Sequence, residues 1–319
     1  MNVLIDCDPG IDDALALLLA SASPELALQA VTTVAGNTDV QTGADNALAV
    51  LALAGACDIP VAAGCASPLI KPLITAPETH GPTGMGYASL PQNTRRPQSQ
   101  HAVDLIIETA ERGAGELTLV AIGPLTNIAL ALRKAPHIAQ AFSRVIIMGG
   151  AIRHQGNVTM GAEYNCWVDP HAAHIVFHSG MPITLVPLDV TYRCLFTSTH
   201  AGVLARMPSP ITRFIVDATR FYIDFHRSEQ NVDGCAINDA LAVALCLAPD
   251  LVKTEKLFVD IDLSDGISHA TTFADFWNTT KRAPNMHVAL EVDVPRFFDL
   301  FLSRVAALSR AEENIGSRK

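Results

Sequence analysis

The sequence is short of charge: Asp, Glu, Lys and Arg make up 17% of its 319 residues, and the balance is negative, at −10. Its cationic stretches are no longer than pairs such as Arg95-Arg96 and the terminal Arg318-Lys319. Such pairs are too short to track a phosphate backbone, so nucleic acid is not an expected partner. None of the seven cysteines stands in a CxxC spacing. They read as small core residues of a reducing compartment, as Cys246 does in the apolar stretch 241–247. No charged leader precedes the apolar residues 2–5, and that run is far too short for a signal peptide or a membrane span. The expectation is a soluble, cytoplasmic chain with no membrane partner. No Pro/Gly/Ser-rich linker, low-complexity segment or internal repeat marks a boundary, which points to a single domain over 1–319.

What is present is apolar material, 49% of the chain, enough for a large core. Residues 2–5 form an apolar run ending in Asp6. Pro9-Gly10 then make a turn, and 12–19 have helix-forming composition. Strand patterns recur at 28–34, 117–121, 145–148, 183–186, 257–261 and 287–292. Helical patterns recur at 43–55, 102–111, 125–132, 171–178, 211–227, from 240, and at 297–309. Strands that are apolar on both faces and alternate with helices imply an α/β, doubly wound, mostly parallel sheet flanked by helices. The pattern breaks only at 66–98, rich in Pro, Gly and Thr. A loop of that length in a compact domain is usually functional.

Chemistry concentrates at the end of the first strand, where Asp6, Asp8, Asp12 and Asp13 fall within eight residues. Four carboxylates on one turn repel one another unless a cation neutralises them. With no His or Cys ligand pattern nearby, the oxygen donors favour calcium or magnesium over zinc. Strand alternation points Cys7 away to the opposite face. Helix capping could account for one or two of the aspartates but not all four. A phosphotransferase built on a strand-end Asp fits Pro9-Gly10-Ile11-Asp12-Asp13 poorly.

The run from Asp6 to Ala14 resembles the N-terminal signature of inosine-uridine-type nucleoside hydrolases. Further blocks follow in that family's order: 31–37, His80-Gly81, 121–127, Met148-Gly149-Gly150, Gly156-Asn157, 162–165 and Asn238-Asp239. The resemblance extends to about Pro249. It implies the nucleoside hydrolase fold and a ribonucleoside cleaved to base and ribose, as in nucleoside catabolism and salvage. It also implies a homodimer or homotetramer, and a calcium ion held by Asp8, Asp13, Asp239 and the carbonyl of Ile122. By the same resemblance Asp8 is the general base toward a calcium-bound water, with Asn37 supporting it and Asp6 behind it. Asp12, Asn157, Glu163, Asn165 and Asp239 would hold the ribose. Carboxylates near the sugar suit a reaction that builds positive charge on it.

Each residue also has an ordinary reading. Asn37 and Asn157 each follow a glycine in what could be a simple turn, and Asp239 could cap a helix beginning at Ala240. Glu163 and Asn165 alternate as on a strand edge. The chain departs from the family at Asn238, where many relatives carry a histidine that protonates the leaving base. An amide cannot do so. Candidate replacements are His80 in the long loop and Tyr222 or His226, one turn apart on one helix face. Beside Arg227 and Glu229, His226 could equally be solvated. Phe221, Tyr222, Phe225, His226 and Arg227 are expected near the base. A nucleoside-binding protein with weak or no catalysis, or a hydrolase of a modified nucleoside or other N-riboside, are the alternative readings.

Overall fold

The computed structural model describes residues 1–91, 93–113 and 115–316, with side chains to 310; Arg318 and Lys319 lie outside them. In chain order the strands are β1 (Asn2–Cys7), β2 (Ala27–Thr33), β3 (Val61–Ala63), β4 (Leu117–Ala121), β5 (Phe142–Met148) and β6 (Ile183–Val186). They continue with β7 (Leu195–Phe196), β8 (Cys235–Ala236), β9 (Val252–Leu257), β10 (Val259–Ile261), β11 (Thr272–Ala274) and β12 (Met286–Val292). Eight of them form one sheet in the order β3-β2-β1-β4-β5-β6-β12-β9. Every neighbouring pair is parallel except β12 and β9. The expected doubly wound, mostly parallel sheet is what the chain builds.

The unbroken apolar runs follow from burial on both faces. Along β1, Val3, Ile5 and Cys7 enter one hydrophobic cluster and Leu4 the other. The first cluster is covered by helices Ile11–Ser21, Val40–Leu53, Pro210–Gln230 and Asn238–Leu247. The second lies under helices Ala102–Gly113, Thr126–Lys134 and Pro170–Phe177.

One expectation is corrected and one strand had not been foreseen. The stretch 257–261 is two strands, not one: β9 ends at Leu257 beside β12, and after Phe258 the chain joins β11 in a separate antiparallel ladder. The three-residue β3, between Pro60 and Gly64, is too short to show a period.

Position in the sheet explains where polar residues gather. From β1 the sheet grows through β2 to β3 on one side and through β4, β5 and β6 on the other. The connections leave in opposite directions and open a crevice at the carboxyl ends of β1 and β4. Asp8 follows β1 there, and Ile122 follows β4. The loop 66–98 crosses near this crevice and contains one short helix, Pro77–His80. No described helix is long and apolar enough to cross a membrane. Six of the cysteines are buried and Cys57 is exposed; all are free thiols.

Candidate active site

Two helices bring their N-termini to the crevice. Helix Ile11–Ser21 carries Asp12 and Asp13 in its first turn, and helix Asn238–Leu247 carries Asp239 in its own. The helices pack against each other. Unpaired N–H groups and the positive dipole ends therefore face the carboxylates and soften their repulsion. Asp239 lies inside the helix rather than capping it, since the cap position is Ile237.

Asp8, Asp12, Asp13 and Asp239 are each at most 5% exposed. Asp13 is tied by three donors: the Asp8 N–H at 3.0 Å on Oδ1, and the Gly10 N–H at 2.9 Å and Asn37 Nδ2 at 3.1 Å on Oδ2. The Asn37 N–H donates to Asp8 Oδ2 at 2.7 Å, while the buried Asp8 Oδ1 has no hydrogen-bond partner. Gly36 makes that approach possible, because a Cβ there would lie 2.1 Å from Asp8 Oδ2. Asn37 is thus more than a turn residue: its backbone holds one aspartate and its side chain another.

Burial raises the pKa of all four carboxylates, and repulsion from the neighbouring aspartates adds to it for Asp8, Asp13 and Asp239. Asp12 and Asp13 are each pushed up to about 6, with Asp12 the next cause for Asp13. Asp8 and Asp239 rise well above the carboxylate range. After burial the largest contributor is Asp13 for the first and Asp12 for the second. Asp12, Asp13 and Asp239 each offer an oxygen within 4.8 Å of the others. Such a set can hold a divalent cation, whose charge reverses the repulsion; Asp8, expected as a ligand, is tied to Asp13 through its N–H but is not one of the three clustered carboxylates. Asp12, expected only against the sugar, belongs to this cluster by geometry.

Asp6 stands apart. It lies on the other face of the sheet end, where Thr32 Oγ1 at 2.6 Å and Asn127 Nδ2 at 2.8 Å donate to its Oδ1. Its Oδ2 is buried without a partner, and burial lifts its pKa to about 7.

Above the acidic floor is a partly open cavity of about 70 Å³. The expected ribose residues Asp12, Asn157, Glu163, Asn165 and Asp239 line it, as do His80, Tyr222, Phe225, His226 and Asn238 on the base side, together with Asn37 and Ile122. Glu163 and Asn165 are not on a strand edge. Glu163 caps helix Tyr164–Val168, its carboxylate taking the N–H groups of Asn165, Cys166 and Gly150 at 2.8–3.0 Å. That anchoring fixes Asn165, whose Nδ2 donates to the Ile122 carbonyl at 2.9 Å.

The histidines are fixed as neutral rings. The Ile11 N–H donates to His80 Nδ1 at 3.1 Å, leaving the ring proton on Nε2. His226 Nδ1 faces the Tyr222 carbonyl at 2.8 Å, so there the proton is on Nδ1. Burial lowers both pKa values to about 4. His226 is buried, not solvated. Tyr222 packs between the two rings, 5.2 Å from His80 and 4.5 Å from His226. Asn238 Nδ2 donates to Asp12 Oδ2 at 2.9 Å, and its Oδ1 is buried and unpartnered.

Two expectations for the base side are corrected. Phe221 turns from the cavity to meet Tyr87 edge-on at 5.0 Å, and Arg227 pairs with Asp233 at 2.7 Å. The sequence reading missed Tyr192 and Gln230, which line the cavity and are joined by the Tyr192 hydroxyl at 3.2 Å. No local pattern distinguishes them; only Gln230 had a signal, one turn beyond His226 on the same helix face.

Comparison with known proteins follows the same lines. The family model described as inosine-uridine preferring nucleoside hydrolase matches residues 3–299. The pyrimidine-specific ribonucleoside hydrolase RihA of Enterobacter sp. (strain 638) is 38% identical over 310 residues, covering 97% of this chain and 99% of that protein. Among solved structures, a purine-preferring ribonucleoside hydrolase from Gardnerella vaginalis superposes with a TM-score of 0.92 at 34% identity, covering 98% of this chain and 100% of its own. A plant nucleoside hydrolase, the PpNRh1 enzyme, gives 0.91 at 35% identity, covering 96% and 99%.

Proposed function

The chain belongs to the inosine-uridine preferring nucleoside hydrolase family, and from that footing we propose how its residues divide the hydrolysis of a ribonucleoside to free base and ribose. It is an N-glycosyl hydrolase, and the observation that carries the division of labour is the buried, unpartnered Oδ1 of Asp8, a residue that Asn37 links to Asp13 of the Asp12, Asp13 and Asp239 cluster. In this reading Asp8, Asp13, Asp239 and the Ile122 carbonyl hold Ca²⁺. Hard oxygen donors of that kind suit calcium. Bound there, the ion would lower the pKa of a water in its shell.

Asp8 takes the proton of the attacking water on Oδ1. Asn37 keeps the carboxylate aimed by holding the other oxygen. Positive charge develops on the ribose as the glycosidic bond lengthens, and the carboxylates of Asp12 and Glu163 stabilise it electrostatically. Asp12, Asn157, Glu163, Asn165 and Asp239 bind the sugar hydroxyls. Asn165 reaches both the Ile122 carbonyl and the sugar side of the cavity, so it ties ribose position to the cation floor.

The base lies toward His80, Tyr222, His226 and Asn238. Neither histidine serves as an imidazolium, since both pKa values are near 4. His80 instead offers its Nε2–H as a neutral hydrogen-bond donor to the departing base. The relatives are named for pyrimidines in one case and purines in the other, so the base preference depends on these cavity residues and on Tyr192 and Gln230.

The test is a product assay on a panel of ribonucleosides with calcium, after chelation, and with Asp8→Asn. Ribose release that falls in the last two conditions supports the scheme; equal rates in all three overturn it. Because Asn238 provides no acid, a second reading is a protein that binds nucleosides with little turnover. Calorimetric binding without ribose release would favour it.

A further inference from the structure

Away from the cavity, helix Pro170–Phe177 and the residue that ends it, His178, present two imidazoles one turn apart. His174 Nδ1 lies 3.0 Å and His178 Nε2 3.1 Å from the same oxygen, Asp260 Oδ1 on β10, and the two rings are 4.5 Å apart. Ligand atoms from all three residues fall within 4.8 Å of one another, and the cluster is open to solvent. We propose that His174, His178 and Asp260 form a second metal site, selective for a borderline transition ion such as Zn²⁺, with water completing its coordination.

Three observations carry it. The donor set is two imidazoles and one carboxylate, which suits zinc and contrasts with the all-oxygen floor of the cavity. The spacing is compatible: a tetrahedral zinc with bonds of about 2.0–2.1 Å has ligand–ligand edges of roughly 3.3 Å, each ring nitrogen lies 3.0–3.1 Å from Asp260 Oδ1, and the two nitrogens are within 4.8 Å of each other. Asp260 Oδ1 is also crowded. It takes the Ile261 N–H at 2.9 Å in addition to both rings, more donors than its lone pairs serve well, while Oδ2 has only Arg282 at 3.4 Å. Turning both ring lone pairs onto an ion relieves that crowding and leaves Ile261 as the one donor on Oδ1.

The alternative is an all-protein arrangement in which two neutral rings each donate a proton to the carboxylate. It makes a different prediction for Arg282, whose guanidinium lies 3.4 Å from Asp260 Oδ2 and 5.0 Å over the Phe258 ring. A cation beside a metal site weakens the ion's binding, so its removal should tighten the site. Structurally, the ion would clamp helix Pro170–Phe177 to β10, joining two elements that already pack together.

The experiment is calorimetric titration of the full chain with Zn²⁺ near pH 7 in excess Ca²⁺, which occupies the hard-oxygen site. The expected result is one equivalent of zinc bound by the unaltered protein, with affinity lowered on the order of 10–100-fold or more in His174→Gln, His178→Gln and Asp260→Asn, and raised in Arg282→Ala. All four positions lie outside the catalytic cavity, so ribose release in calcium is expected to be unchanged and serves as the check on folding. Zinc uptake that is undiminished in the His174→Gln, His178→Gln double variant, or no equivalent bound by the unaltered protein, overturns the proposal.

Discussion

Replacing Asp6 by asparagine tests the electrostatics at the sheet end without touching the cavity. In the native chain Oδ1 accepts from Thr32 and Asn127, whereas Oδ2 is buried with no partner, and the pKa rises from 3.8 to about 7. Because the folded state binds this proton more tightly than the unfolded state, Asp6 contributes stability at pH 4 that is lost as the pH rises from about 4 to about 7. A shift of that size corresponds to about 4 kcal/mol. The substituted amide keeps an oxygen facing Thr32 and Asn127 and places an unpartnered NH₂ group where Oδ2 was. Near pH 4 both proteins carry one unsatisfied polar group there, and their stabilities should agree within about 1 kcal/mol. At pH 8 the native chain carries a buried, half-satisfied charge, and Asp6→Asn should be the more stable by up to about 4 kcal/mol. Urea unfolding from pH 4.5 to 8 in chelator measures it, since the other carboxylates titrate alike in both proteins and cancel in the difference. A stability difference that stays flat across that range would refute the reasoning.

Three further outcomes follow from the cavity. Calcium at a hundredfold over its Kd should stabilise the protein by about 2.7 kcal/mol, seen as a rise in Tm that Asp13→Asn abolishes. Glu163→Gln leaves at least one of three backbone N–H groups facing an amide nitrogen. It should lose about 1–3 kcal/mol of stability by chemical denaturation and show a raised KM for ribonucleosides. Asn238→His restores an ionisable group beside the base and should raise turnover on purine nucleosides; unchanged or lower rates in steady-state assays would count against a leaving-group role at this position.

The acidic turn was legible because its chemistry is local: four aspartates in eight residues need a remedy wherever the chain goes. The sheet was legible because strands buried on both faces carry continuous apolar runs. Asn37, Ile122 and Asp239 became visible through resemblance, since nothing near them in sequence marks them. The strand edge offered as the ordinary reading of Glu163 was wrong because five residues of helix are too few to show a period, and capping depends on the N–H groups it meets. Tyr192 and Gln230 were missed because their significance is a meeting between a short helix end and the end of a long one. The break at Phe258 was missed for a similar reason: a strand changing partners keeps its β pattern. Asn127 stood within a recognised block, but it lies on a helix and its partner Asp6 on strand β1, far apart in sequence.

The contact between His80 and the first helix has a consequence for how this molecule can change over time. A Cβ at Gly10 would lie 2.6 Å from His80 Nδ1 and 2.8 Å from Asn37 Nδ2. Any side chain at position 10 would therefore displace the loop histidine and the asparagine that steadies Asp13 together. The loop and the acidic turn therefore meet at Gly10: a side chain there would unseat the loop histidine and loosen the asparagine of the cation floor in one step.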